Sequence, residues 1–217
     1  MQIAPLSAEA RRVVPAAFGW RLAPVVTAAL LGVAIAMAAW QTPGPAWFAV
    51  GLAAFVSLAV FFDVRERRIP NALTLPALAA GLAVAWATAG GAALAAALLG
   101  AGLGLGALLP LYALGVLGAG DVKAAAALGA MVGAAALAEA LLWALGVGGV
   151  LGLGWIALRG ELRALLARWG RIVWLSALRL RPAYVPPPAG SAATEGIPFA
   201  VALAIGLVLA ELLGSPW

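Results

Sequence analysis

The side chains able to do chemistry in this 217-residue chain are few: two aspartates, six glutamates, one lysine and a set of arginines, with no cysteine and no histidine. Asp63 closes the apolar run "AWFAVGLAAFVSLAVFFD", and Asp121 stands in the stretch "GAGDVK". Without thiols there is no disulfide framework and no thiolate site, and without imidazoles a zinc site is not expected. No metal and no cofactor is expected. Two carboxylates brought together can, however, activate water. Like charges at short range cannot both ionise, so a close pair shares one proton and offers an acid and a base at once. The ionised member takes a proton from an attacking water, while the protonated member hydrogen-bonds a carbonyl oxygen and helps an amine depart. Acidities of such a pair belong to the pair, so the separate roles of Asp63 and Asp121 stay open.

What must position these acids is a membrane. Hydrophobic residues make up 65% of the chain and charged residues 10%, with a mean hydropathy of +1.09, more apolar surface than a globular core of this size can hide. Runs of roughly 17–25 apolar residues cross a hydrocarbon core about 30 Å thick. Seven such runs are expected, at about 22–40, 46–62, 72–89, 91–116, 122–137, 140–158 and 196–214. The fold class is therefore an all-α polytopic membrane protein of about seven transmembrane helices plus one interfacial amphipathic helix. It forms a single membrane domain, 1–217. Residues 1–45 make an N-terminal cytoplasmic segment and an extra first span, and 46–217 the core, with a cytoplasmic interfacial helix and Pro-rich linker at about 159–195.

The net charge of +5 does not point to nucleic acid, because its distribution follows the spans. Arg11, Arg12 and Arg21 precede the first; Arg65, Arg67 and Arg68 follow the second; Lys123 follows the fourth; Arg159, Arg163, Arg168, Arg171, Arg179 and Arg181 follow the sixth. With the N-terminus inside, alternate crossing puts all of them in the cytoplasm, while "QTPGPA", "TAGG" and "LAEA" on the other side carry none. The C-terminus then faces outward. The first run is longer than a secretory h-region, so an uncleaved signal anchor is expected rather than a removed peptide.

Between about Glu161 and Leu180, Leu162, Leu165, Leu166, Trp169, Ile172 and Val173 share one helical face, and Arg163, Arg168, Arg171 and Arg179 share the other. That pattern suits a helix lying among anionic lipid headgroups, not a further span. The following "RPAYVPPPAG" reads as a stiff link to the last span. Gly100, Gly102, Gly104 and Gly106 resemble a nucleotide-binding loop only superficially, since no strand precedes them. Spaced four apart, as are Gly148 and Gly152, they suit close helix packing in lipid.

In this topology Asp63 and Asp121 both lie at cytoplasmic helix ends. The helix after Asp121 offers only about 16 apolar residues, roughly 24 Å against the ~30 Å to be crossed, which draws Asp121 below the interface. An acid at that depth faces protein or a water-filled cavity and is by default functional. Gly118 and Gly120 permit close approach of another segment to it. Lys123 either tunes the acids, binds a substrate carbonyl or anchors the interface. Pro70 and Asn71 read as a turn and helix start with Asn71 a plausible N-cap, and Glu66, Glu139, Glu161, Glu195 and Glu211 as solvated residues at helix ends or in loops.

"GAGDVK" contains the G-x-G-D motif of intramembrane aspartic proteases, and "DVRERRIPN", Asp63 to Asn71, resembles the D-x-R-x-x-x-I-P-N block of the prepilin peptidases, the type IV leader peptidases. "IPFAVALAIG", Ile197 to Gly206, is similar to a third block usually written with I-P-Y-G. Phe199 and Ala200 depart from it, leaving open any polar role there. The Y-D and P-A-L blocks of presenilin-like proteases are missing. Also missing is the cysteine-bearing cytoplasmic insert that larger prepilin peptidases carry and that is associated with N-methylation of the product. The chain looks like the compact, peptidase-only kind associated with Flp or Tad pili.

The resemblance implies an aspartic endopeptidase of the bacterial inner membrane. Asp63 and Asp121 would be catalytic, Gly118, Gly120, Lys123, Pro70 and Asn71 site-shaping, and a pilin-like precursor with a short basic leader the substrate. No N-methylation activity is expected. Two other classes fit two acids in a membrane: a proton-coupled transporter, although neither repeated halves nor mid-membrane charges are found, and a non-catalytic secretion scaffold.

Overall fold

A computed structural model describes residues 46–179, 185–188, 190–192 and 198–213. These hold six helices and no strand: α1 (Ala46–Glu66), α2 (Asn71–Ala113), α3 (Ala119–Val132), α4 (Ala134–Leu158), α5 (Leu162–Arg179) and α6 (Phe199–Leu213). Three helices, within α1, α2 and α4, are long and apolar enough to cross a membrane, and with their lipid-like exposed surface of Trp86, Leu99, Leu142 and Val150 they make this a membrane protein. The expected first span at 22–40 and the C-terminal Trp217 lie outside the described residues.

As one straight rod, the 43 residues of α2 would reach ~65 Å, more than twice a bilayer core. The chain avoids this at Ala89 and Gly90, whose backbone is non-helical, Gly90 with a φ of 67° that a side chain would strain. The resulting arms, 71–88 and 91–113, correspond to the third and fourth expected spans. α3 is wedged between them. Its start meets the start of the first arm, Gly120 on Ile69, and its end meets Gly81 through Ala130 and Met131, so those two run parallel. Against the second arm it runs antiparallel, Gly104 on Ala125 and Gly100 on Gly129.

These glycine contacts are backbone against backbone. A Cβ on Gly104 would stand 2.5 Å from the Ala125 carbonyl oxygen, and one on Gly100 or Gly129 would land inside the other's peptide. Such approach supplies the dispersion contact that lipid-solvated helices need in place of a hydrophobic drive. The expected packing role of Gly100 and Gly104 is thus present. Gly102 and Gly106 have nothing near them, and Gly148 touches Ala202.

One boundary differs from the sequence reading. Spans 122–137 and 140–158 were expected to join through "LAEA", but the chain turns at Gly133, with a φ of 86°. α3 is therefore only 14 residues, ~21 Å, while α4 has 25. The acid in "LAEA" suggested a loop, whereas a single glycine in a backbone conformation closed to other residues makes the turn. Glu139 accordingly lies inside α4, half-buried, and not in a loop.

α6 closes the bundle. Gly206 lets it press on α4, where a Cβ would meet the Ala144 nitrogen at 2.6 Å. Its other side packs on α1 and α3 around an apolar cavity lined by Val56, Ala59, Ala124, Leu128, Ala200 and Leu203, among others. α5 occupies the stretch expected for the interfacial helix, with Leu166, Trp169 and Val173 exposed and Leu165 and Ile172 half-buried. Glu161, expected to be merely solvated, accepts a hydrogen bond of 2.9 Å from the Ala192 N–H and ties the turn at 190–192 to the start of α5.

Candidate active site

Four helix ends converge: the end of α1 and the starts of α2, α3 and α6. The apolar residues of α1 carry the helix to Asp63, and it stops where Arg67 adopts a φ of 53° and donates its N–H to the Asp63 carbonyl at 3.0 Å. Pro70 then opens α2. It occupies the cap position, where its missing N–H is no loss, and its carbonyl receives the N–H groups of Leu73 and Thr74.

Asp63 is buried, with 6% of its surface exposed. Its Oδ2 accepts a 2.8 Å hydrogen bond from the Ala200 N–H, 137 residues along the chain. That N–H belongs to the first turn of α6, where helix donors lack internal partners and the helix dipole favours negative charge. Asp121 lies in the first turn of α3, half-buried, and its Oδ2 accepts a 2.9 Å hydrogen bond from the Gly118 N–H. The two carboxylates lie within electrostatic reach of one another, and Asp63 also within reach of Arg67. Each thus has its Oδ2 held by a main-chain donor.

Gly118, Gly120, Pro70, Asn71 and Lys123 lie at the same helix ends as this pair. Gly120 lies flat on the chain before α2: a Cβ there would stand 3.0 Å from the Ile69 carbonyl oxygen and 3.1 Å from its nitrogen. A Cβ on Gly118 would meet Oδ2 of Asp121 at 3.2 Å. Asn71 is not the N-cap that was expected; Pro70 holds that position, and the Asn71 Oδ1 instead accepts a 2.9 Å hydrogen bond from Lys123 Nζ. Asp121 also has a structural part: Gly118 holds the N-cap of α3, and the bond from its N–H to the Asp121 side chain, three residues on, closes the first turn.

Sequence reasoning missed the Ala200 N–H. It weighed residues 199 and 200 by their side chains, and the group that reaches Asp63 is main chain. The available signal was that "IPF" opens a helix, whose first N–H groups are ready-made partners for an anion. It also missed Thr74, one turn into α2, whose side chain is 1% exposed and whose hydroxyl finds no partner among the described residues. No group of acidic side chains able to hold a metal ion forms among the described residues.

A helical membrane protein with two acids at one end of its bundle defines a class for comparison. Residues 50–153, just under half of the chain, match the model of the type IV leader peptidase family, and this stretch contains both Asp63 and Asp121. No curated protein and no solved structure matches the chain.

Proposed function

We propose that the protein is an intramembrane aspartic endopeptidase that removes the basic leader from a type IV pilin-like precursor, of the Flp or Tad kind, at the cytoplasmic boundary of the bacterial inner membrane. The observation that carries this reading is the pair itself. Asp63 and Asp121 come from separate helices to one end of the bundle, each with its Oδ2 held by a backbone N–H. One carboxylate, ionised, accepts a proton from water as the water oxygen attacks the scissile carbonyl carbon. The other, protonated, donates to the carbonyl oxygen, and a proton passes to the amine nitrogen as the C–N bond breaks. Backbone clamps suit this work, because a main-chain donor fixes a carboxylate oxygen in place while carrying no formal charge of its own.

The substrate follows from the site's place. A dyad at the membrane boundary meets an inserted precursor where its basic leader joins its hydrophobic helix. Seven spans, with the N-terminus in the cytoplasm and the C-terminus outside, put the dyad on the leader's side, and the basic face of α5 then lies toward anionic headgroups. The product leaves unmethylated, since the chain lacks any cysteine-bearing insert.

The test is cleavage of a pilin-like precursor by the purified protein in liposomes, read as a leader-sized mobility shift. Mass spectrometry of the product with S-adenosylmethionine supplied checks methylation. A shift without added methyl mass is expected. A precursor left whole by folded protein overturns the reading, and a methylated product overturns its second part. Reporter fusions at Gln41–Pro45 and Trp217, expected outside, and at Arg65–Arg68, expected inside, test the topology.

A further inference from the structure

We propose that Lys123 and Asn71 form a latch that sets the separation of Asp63 and Asp121, and that Lys123 is a positioning residue, not a partner of the acids or of the substrate. The proposal rests on the dyad reading of the site. Lys123 Nζ donates to Asn71 Oδ1 at 2.9 Å, between residues 52 apart in sequence. On one side of this bond the chain leads back, through Pro70 and the turn at Arg67, to Asp63; on the other, half a turn of α3 leads back to Asp121.

A second contact works at the same seam. Ile69 is buried, and Gly120 rests on its backbone closely enough that no Cβ fits without displacement. The α1–α2 turn is thus joined to the start of α3 at two adjacent points, one of packing and one of charge-assisted hydrogen bonding. Along the bundle, by contrast, α1 and α3 face each other across the apolar cavity lined by Val56, Ala59, Ala124 and Leu128. Apolar packing of this kind tolerates sliding more readily than a bond of fixed length. The site end is therefore where the distance between the two acids is decided.

Directing the ammonium to Asn71 has a chemical consequence. A lysine bonded directly to either carboxylate would hold that acid ionised and oppose the sharing of one proton. With the asparagine amide oxygen as its acceptor, Lys123 contributes rigidity to the site without serving as either acid's counter-ion.

The experiment compares Asn71→Leu, Lys123→Met, the double variant and Asn71→Asp in the full-length protein in liposomes. Loss of the latch lowers kcat by roughly 10- to 100-fold with KM within about three-fold, since an ångström of misplacement costs on this order. The two single variants should match each other, the double variant should be no worse than either, and Asn71→Asp, which keeps an acceptor for Lys123, should restore most of the rate. If Lys123→Met raises KM or displaces the pH profile while Asn71→Leu does neither, the lysine acts on substrate or acids directly and the latch is wrong. Independently of activity, spin labels at Arg68→Cys and Ala119→Cys, in a chain without other cysteines, should show a broader distance distribution in Asn71→Leu than in the parent. An unchanged distribution overturns the latch. If the parent itself cleaves no precursor, the function assigned above fails, and the label distances still decide whether the latch exists.

Discussion

The two aspartates reach similar surroundings by opposite routes. Asp121 is held locally: the Gly118 N–H that binds its Oδ2 lies three residues back, in the same turn of backbone. Asp63 is held remotely, by the Ala200 N–H on a helix that enters the bundle last. A carboxylate held within its own turn needs only the start of α3 to form. One held from across the bundle needs α6 docked, and so depends on Gly206 pressing α6 onto α4. The acid on α3 is preorganised by secondary structure, and the acid on α1 only by the completed tertiary fold.

The largest effect erases the comparison altogether. Asp63→Asn and Asp121→Asn should each abolish leader cleavage while leaving the protein folded and inserted, because asparagine keeps the shape and removes the titratable proton. The double variant should be no worse than either single one, as for residues that act as a unit. Asp→Glu should rescue neither position, since one methylene displaces the carboxylate by about an ångström, and that costs on the order of 100-fold. Cleavage by purified variants, with thermal stability measured alongside, is the check. Substantial cleavage by either asparagine variant would leave the acids as helix caps only.

Removing the remote clamp alone should come next. Ala200→Pro deletes the N–H that holds Asp63, and proline is tolerated in the first turn of a helix. A hydrogen bond to a charged group is worth ~1.5–3 kcal/mol, so a fall of about 10- to 100-fold in kcat is expected. Ala200→Gly keeps the N–H and should stay within a few-fold of the parent. Equal activity of the two variants would show that α6 only packs against Asp63.

The local support is tested by its two glycines, which the motif writes alike and the structure distinguishes. Gly120→Ala forces a Cβ against the rigid Ile69 backbone at 3.0 Å, whereas Gly118→Ala meets only the end of the Asp121 side chain at 3.2 Å. Gly120→Ala should therefore lose roughly ten-fold or more in rate, following the cost of misplacing a reacting group, and several degrees of thermal stability. Gly118→Ala should lose less of both. The reverse order in paired activity and melting measurements would place the critical close approach at Gly118.

The same contrast explains what the sequence reveals. Asp121, Gly118 and Gly120 are legible together because their support is local and one short motif contains it. α5 is legible because its period separates Leu166 and Trp169 from Arg163 and Arg171. The donor to Asp63 is not legible, because a main-chain N–H leaves no mark in residue identity and its partner is 137 residues away. Nor is the turn at Gly133 distinguishable beforehand from the glycines that pack inside helices. Only the path of the chain tells a glycine used for its φ from one used for its missing Cβ.

Glu139 supplies the control, an acid remote from the pair. It lies in the second turn of α4, half-buried. The Gly133 end of α3, from which α4 departs, is the end remote from Asp121, ~20 Å away along the helix axis. Near the N-terminal end of α4 its charge gains at most ~0.3–1 kcal/mol from the helix dipole, less when screened. Glu139→Gln should therefore leave cleavage within about two-fold of the parent and lower the melting temperature by only a degree or two, in line with a loss well under 1 kcal/mol. Kinetics and thermal unfolding of the purified variant decide it. A large loss of rate with unchanged stability would bring a third acid into the chemistry, and the account of two carboxylates acting as a self-sufficient pair would have to be abandoned.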